Sequence, residues 1–187
     1  MPHQAQLEAA YTEMCLDRLD LGFEPVLITL MFNPLPGSQA TVARTMEQVI
    51  EKMYGDVVRN MFRHPGRKDL LELPLWIACP DYPVNKSNKM TIRETTVNSG
   101  MHTHIPAMVP TGTRLELPFN LWLEENKHLY CGPGKAVARI HVLRIYETPE
   151  DAFRYAFKSL GRGRANSDDV LVLPRTHSEM QSRKQGR

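Results

Sequence analysis

His102 and His104 stand two residues apart in the run MHTHIPAMV, residues 101–109, which is rich in strand-forming side chains. Strand side chains alternate, so both imidazoles point to one face. The preceding run MTIRETTV, residues 90–97, has the same β character, and Asn98-Ser99-Gly100 between them is a turn signal. A β-hairpin about that turn sets Glu94 opposite position 102, 103 or 104, depending on turn length. In the two registers that place it opposite a histidine, Glu94 shares the histidine face, roughly 4.5–5.5 Å away. Two imidazoles and a carboxylate with open positions suit a divalent ion such as Mn²⁺, Mg²⁺ or Zn²⁺.

A second pair lies far downstream. Tyr155 and Lys158 are spaced to share one face of a helix. A phenol with a pKa near 10 is a poor nucleophile until a cation stabilises its phenolate or a metal polarises the phosphate it attacks. Lys158 supplies the first and an ion on Glu94, His102 and His104 the second. Each pair alone is unspecific: the chain has 7 histidines, and Tyr155 lies among Ala152, Phe153, Ala156 and Phe157, where an aromatic also serves packing. The weight rests on the combination.

The elements that must position these groups follow from periodicity. Residues 4–20 predict a helix, with Gly22 as its stop. Pro25 introduces VLITLMF, residues 26–32, a short β-branched run that reads as a buried central strand. Ser38 caps a long helix over 39–63, whose apolar stripe is Val42, Met46, Val49, Ile50, Met53, Val57, Met61 and Phe62. LPLWIAC, residues 73–79, is a second strand, followed by a loop opened by Pro80; Pro106 implies that the histidine strand is an edge or carries a bulge. A short helix is expected near 121–128 and a strand over 138–146. Thr148 caps a helix with Pro149 at its first position, running to Leu160, and VLVL at 170–173 is a last short strand. Segregated antiparallel strands with packing helices give an α+β fold: a central antiparallel β-sheet with packing helices, ferredoxin-like.

Taken together, these motifs resemble the HUH endonucleases, the rolling-circle replication initiators, relaxases and related transposases. An apolar strand containing a Thr is matched by VLITLMF, a His-hydrophobic-His motif preceded eight residues earlier by a Glu is matched by Glu94, His102 and His104, and Tyr-x-x-Lys is matched by Tyr155 and Lys158. Order and spacing agree across residues 26–160. Thr103 replaces the usual bulky middle residue, and one helix tyrosine stands where some relaxases have two. The resemblance implies a central antiparallel sheet of HUH nuclease architecture and metal-dependent cleavage of single-stranded DNA, with Mn²⁺ or Mg²⁺ as cofactor. Tyr155 would form a 5′-phosphotyrosyl link and Lys158 would position DNA or phenolate. The implied setting is replication initiation on a plasmid, phage or mobile element, with host replication proteins as partners.

Net charge is only +2 over 187 residues, but Arg154, Lys158, Arg162 and Arg164 form an acid-free basic stretch that attracts phosphate. Lys86, Lys89, Arg93, Arg162 and Arg164 are the expected DNA contacts. The chain divides into an N-terminal helical extension (1–22), a nicking domain (23–173) and a disordered basic tail (174–187). No apolar stretch spans a bilayer, no secretory signal stands at the N-terminus and no Walker loop indicates a helicase. The expectation is a cytoplasmic protein without a membrane partner. Cys15, Cys79 and Cys131 suggest reduced, mostly buried thiols rather than disulfides. The rival readings are a non-catalytic single-stranded nucleic-acid-binding domain, a zinc-dependent hydrolase on the same ligands, and a structural protein. The first expects stacking aromatics on the sheet face, and strands 90–109 carry none.

Overall fold

The computed structural model describes residues 2–82 and 97–176. Five strands, β1 (Glu24–Phe32), β2 (Leu75–Asp81), β3 (His102–Val109), β4 (Val137–Arg144) and β5 (Leu171–Leu173), form one sheet in the order β4-β1-β3-β2-β5. Every neighbouring pair is antiparallel. Helices α1 (Pro2–Asp20), α2 (Gln39–Met61), α3 (Phe119–Asn126), α4 (Pro149–Ala156) and α5 (Lys158–Gly161) cover it. The fold is α+β, as the strand and helix order predicts.

Alternation divides the sheet's side chains between two cores. Val26, Ile28, Leu30 and Phe32 of β1 face one way, with Ile105, Ala107, Trp76 and Ile140, and pack under α2 and α3. The α2 stripe is the predicted one, with Val42, Met46, Ile50, Met53, Val57 and Met61 all buried. Ser38 begins this helix by accepting from the Thr41 N–H. The opposite face builds a smaller core from Leu75, Ile77, Cys79 and Met108 against Cys15 of α1 and Phe153, Phe157 and Leu160 of the last two helices. The N-terminal helix is therefore part of this second core.

Several local expectations give way to longer-range pairing. Both edges of β3 are taken, by β1 and by β2, and residues 90–96 of the expected hairpin lie outside the described residues. Residues 97–100 form a 3₁₀ turn. β3 is also central despite Pro106. Its ladder with β2 pairs Trp76 with Ala107 and resumes in the same register at Cys79 and His104, lapsing where proline has no N–H to give. β2 runs through Pro80 to Asp81, where the sequence predicts a loop. Its neighbour β5 reaches only as far as Ala78, so Pro80 leaves no β5 partner unpaired.

The last helix is broken rather than continuous. Phe157, at φ −95° and ψ 9°, separates α4 from α5. Its ring is fully buried against Tyr11 of α1, with centroids 5.8 Å apart, and this anchors the break. Thr148 precedes α4 in the left-handed region (φ 44°) and its side chain makes no capping bond. At the far end, Arg175 pairs with Glu51 of α2 at 2.5 Å, so the start of the expected disordered tail is tied to the body. No helix among the described residues is long and apolar enough to cross a membrane.

Candidate metal centre

Antiparallel register turns the second face into cross-strand rows. Asp81, His102, Met31 and Arg139 form one row across β2, β3, β1 and β4, and Cys79, His104, Thr29 and His141 form the next. Directly opposed residues share a face. The apolar half of this face, around Leu75, Ile77 and Met108, lies under the helices. Asp81, His102 and His104 sit in the two rows beyond it, with Asp81 and His104 buried.

These three side chains are the one group of potential metal ligands among the described residues, with one donor atom of each within 4.8 Å of the others. Both imidazole Nε2 atoms approach the same oxygen, Asp81 Oδ2, at 3.3 Å from His102 and 3.4 Å from His104. Donors bound to one ion at about 2.1 Å lie roughly 3.0–3.4 Å apart in octahedral or tetrahedral arrangements, so the spacing fits a shared cation.

The tautomers point the same way. His102 Nδ1 lies 3.3 Å from the Gly100 carbonyl oxygen. A carbonyl only accepts, so Nδ1 carries a proton, and in the Nδ1–H tautomer the Nε2 lone pair is directed at Asp81. His104 Nδ1 is 3.0 Å from the Thr29 hydroxyl. When that hydroxyl accepts, His104 presents its Nε2 lone pair as well. His104 Nε2 is buried and has no hydrogen-bond partner, the 3.4 Å approach to Asp81 lacking the required geometry. Burial first, with the nearby Lys158 ammonium, outweighs the opposing pull of Asp81 and holds His104 below the ordinary imidazole pKa, which favours the neutral ligand form. Three lone-pair donors converging on one point suit a cation, and the second partner of each histidine orients it as such sites require.

Asp81 is held from the other side by the last helix. Lys158 Nζ lies 2.5 Å from Oδ2, and the buried Ser159 hydroxyl donates to Oδ1 at 2.5 Å. Burial alone would raise the Asp81 pKa. The Lys158 ammonium and the Ser159 hydroxyl, which donate to the carboxylate under either histidine tautomer, help to outweigh it and keep the carboxylate ionised below its usual range.

Tyr155 stands at the exposed side of this cluster, 54% accessible. Its ring centroid is 5.3 Å from that of His104, and Lys158 Nζ lies 3.8 Å from the tyrosine ring centroid. His102, His104, Tyr155 and Lys158, which the sequence suggested separately, are thus brought to one place. The carboxylate beside the histidines is Asp81. Glu94, the carboxylate expected there, lies outside the described residues, as do Lys86, Lys89 and Arg93. Arg162 and Arg164 are exposed just after α5. Asp81, Ser159 and Thr29 were not among the expected site residues. Thr29 lay within the strand run that carried the resemblance, and Asp81 directly follows the strand-like LPLWIACP.

Comparison with models of known protein families, with curated proteins and with solved structures gives no match.

Proposed function

We propose that this protein is a metal-dependent nickase of single-stranded DNA, working through a covalent 5′-phosphotyrosyl intermediate on Tyr155. The observation that carries this reading is an exposed tyrosine set against a buried Asp81, His102 and His104 group. A tyrosine serving only to pack has no reason to stand in water beside convergent lone-pair donors.

Asp81, His102 and His104 would hold a divalent ion, Mn²⁺ or Mg²⁺, which when bound polarises a non-bridging oxygen of the scissile phosphate. Tyr155 Oη attacks phosphorus in line. The new bond joins the tyrosine oxygen to the 5′-side phosphate, the bond to the 3′ oxygen breaks, and the phenol's proton ends on that departing oxygen as a 3′-hydroxyl. Lys158 stabilises the developing phenolate or the phosphate charge. The reverse reaction rejoins strands. Arg139 and His141, exposed at the β4 ends of the two site rows, offer donors for the incoming backbone. Rolling-circle replication of a plasmid, phage or mobile element, together with host replication proteins, is the setting in which such an activity serves.

The test is covalent trapping. The protein is incubated with a pool of random single-stranded DNA and Mn²⁺ and resolved under denaturing conditions. The expected result is a protein–DNA adduct that disappears with EDTA and in Tyr155→Phe. An adduct that persists in Tyr155→Phe would overturn the assigned nucleophile. Strand cleavage without any adduct would favour a metal-bound water, and hence a hydrolase.

A further inference from the structure

Asp81 has two oxygens and three kinds of partner. Oδ1 accepts from the buried Ser159 hydroxyl at 2.5 Å. That leaves Oδ2 alone for both the imidazole side and the ammonium of Lys158, which lies 2.5 Å from it. A divalent ion held by Asp81, His102 and His104 needs the same oxygen. The carboxylate cannot turn its other oxygen to one of the two cations without breaking the Ser159 contact. Two cations competing for one oxygen at such range also repel each other strongly where water is scarce.

Lys158 has somewhere else to go. Its ammonium already lies over the Tyr155 ring, 3.8 Å from the centroid. Its stem is flexible, its side chain retains 19% exposure, and the aromatic face attracts a cation. A small swing about the lysine stem exchanges the carboxylate for the tyrosine without moving the backbone of α5.

We propose that Lys158 is an exchangeable counter-ion of Asp81: it holds the carboxylate while the site is metal-free, and a divalent cation entering between Asp81, His102 and His104 displaces it toward Tyr155. The proposal rests on the metal reading above and adds an order to it. The cation that prepares the phosphate also releases the ammonium that assists the nucleophile, so metal loading and nucleophile activation become one event. Ser159 keeps the exchange confined to Oδ2.

The experiment measures Mn²⁺ affinity of the full chain by calorimetry and by electron paramagnetic resonance of free Mn²⁺, without DNA. Lys158→Met removes the competitor while keeping the stem, and is expected to tighten Mn²⁺ binding at least tenfold. Lys158→Arg keeps the charge and is expected to bind Mn²⁺ no better than the unaltered protein. A second readout needs no variant: labelling of Lys158 by an amine-reactive ester, followed by mass spectrometry at constant pH, should speed up several-fold with saturating Mn²⁺. Equal or weaker Mn²⁺ affinity in a folded Lys158→Met, or unchanged labelling of Lys158 on metal addition, overturns the exchange. Failure of every form to bind Mn²⁺ overturns the metal site and the exchange together. Exchange observed without any DNA adduct overturns only the nicking reaction.

Discussion

On the α2 side of the sheet the inward residues of β1, from Val26 to Phe32, are buried without interruption under a helix of 23 residues. On the opposite side the same strands build an apolar core where α1, α4 and α5 cover them. Beyond that core come Asp81, His102, His104 and Thr29, and then the exposed Arg139 and His141. Alternation makes both faces from one set of strands, so the contrast comes from what lies over each. A fully covered face can be all hydrocarbon. A half-covered face creates a border where polar side chains are dry enough to be held rigidly and close enough to water to meet a ligand. The candidate site lies on that border.

The largest effect should come from opening the closed face. Trp76 is fully buried there, in edge contact with Tyr54 at 5.4 Å. Trp76→Ala should cost about 3–5 kcal/mol in denaturant unfolding, while Mn²⁺ affinity of the folded fraction stays unchanged. A comparable loss of metal affinity would show that the two faces are not independent. Asp81→Asn acts on the other side. It removes the anionic oxygen shared by the imidazoles and Lys158, and Mn²⁺ affinity should fall at least about a hundredfold, roughly 2.8 kcal/mol at 1.4 kcal/mol per tenfold. Calorimetry measures that loss, and retention of near-native affinity would remove Asp81 from the ligand set.

The faces also differ in how they meet alkali. Cys15 and Cys79 both lie in the core under α1, α4 and α5, where burial pushes each thiol up to about 12. A thiol whose pKa is raised on folding contributes stability that is present below its unfolded value, near 8.5, and lost as pH rises above it, because the unfolded chain releases the proton first. Unfolding free energy should fall by about 2.8 kcal/mol between pH 7 and 9.5, about 1.4 kcal/mol from each thiol. The fall should flatten in the Cys15→Ala, Cys79→Ala double variant. On the closed face Tyr54, its hydroxyl buried and bonded to the Pro74 carbonyl, is likewise raised, but from 10.0, so its loss begins at higher pH. Chemical unfolding at a series of pH values separates the two.

What could be read from the sequence follows the same division. The α2 stripe and the strand at 26–32 are local patterns that survive in the fold, while Tyr155 and Lys158 meet across the break at Phe157 rather than on one helix. Asp81 was missed because Pro80 signals a strand end, and only the short reach of β5 lets β2 continue through it. The hairpin around His102 was the shortest connection on offer. The structure instead pairs β3 with β1 and β2, strands distant in sequence, whose apolar alternation rewards burial on both sides. The break at Phe157, which brings Ser159 onto Asp81, depends on a pocket formed partly by Tyr11 of α1, and no periodicity near residue 157 reports that.

The smallest change tests how sharply the border is drawn. Thr29 belongs to β1 between the buried Ile28 and Leu30, and its side chain turns to the site face, opposite His104. Its hydroxyl is the partner of His104 Nδ1 at 3.0 Å. Thr29→Val keeps the β-branched shape and strand preference and deletes only the hydrogen bond. Stability should move by less than about 1.5 kcal/mol, the usual value of one such bond. Metal affinity should drop about tenfold, because an outer partner fixes both the tautomer and the orientation of a ligating imidazole. Thr29→Ser, which returns the hydroxyl, should recover most of that affinity. A Val variant with unchanged affinity would mean that packing alone orients His104, and the polar rows would then owe their order to the helices above them.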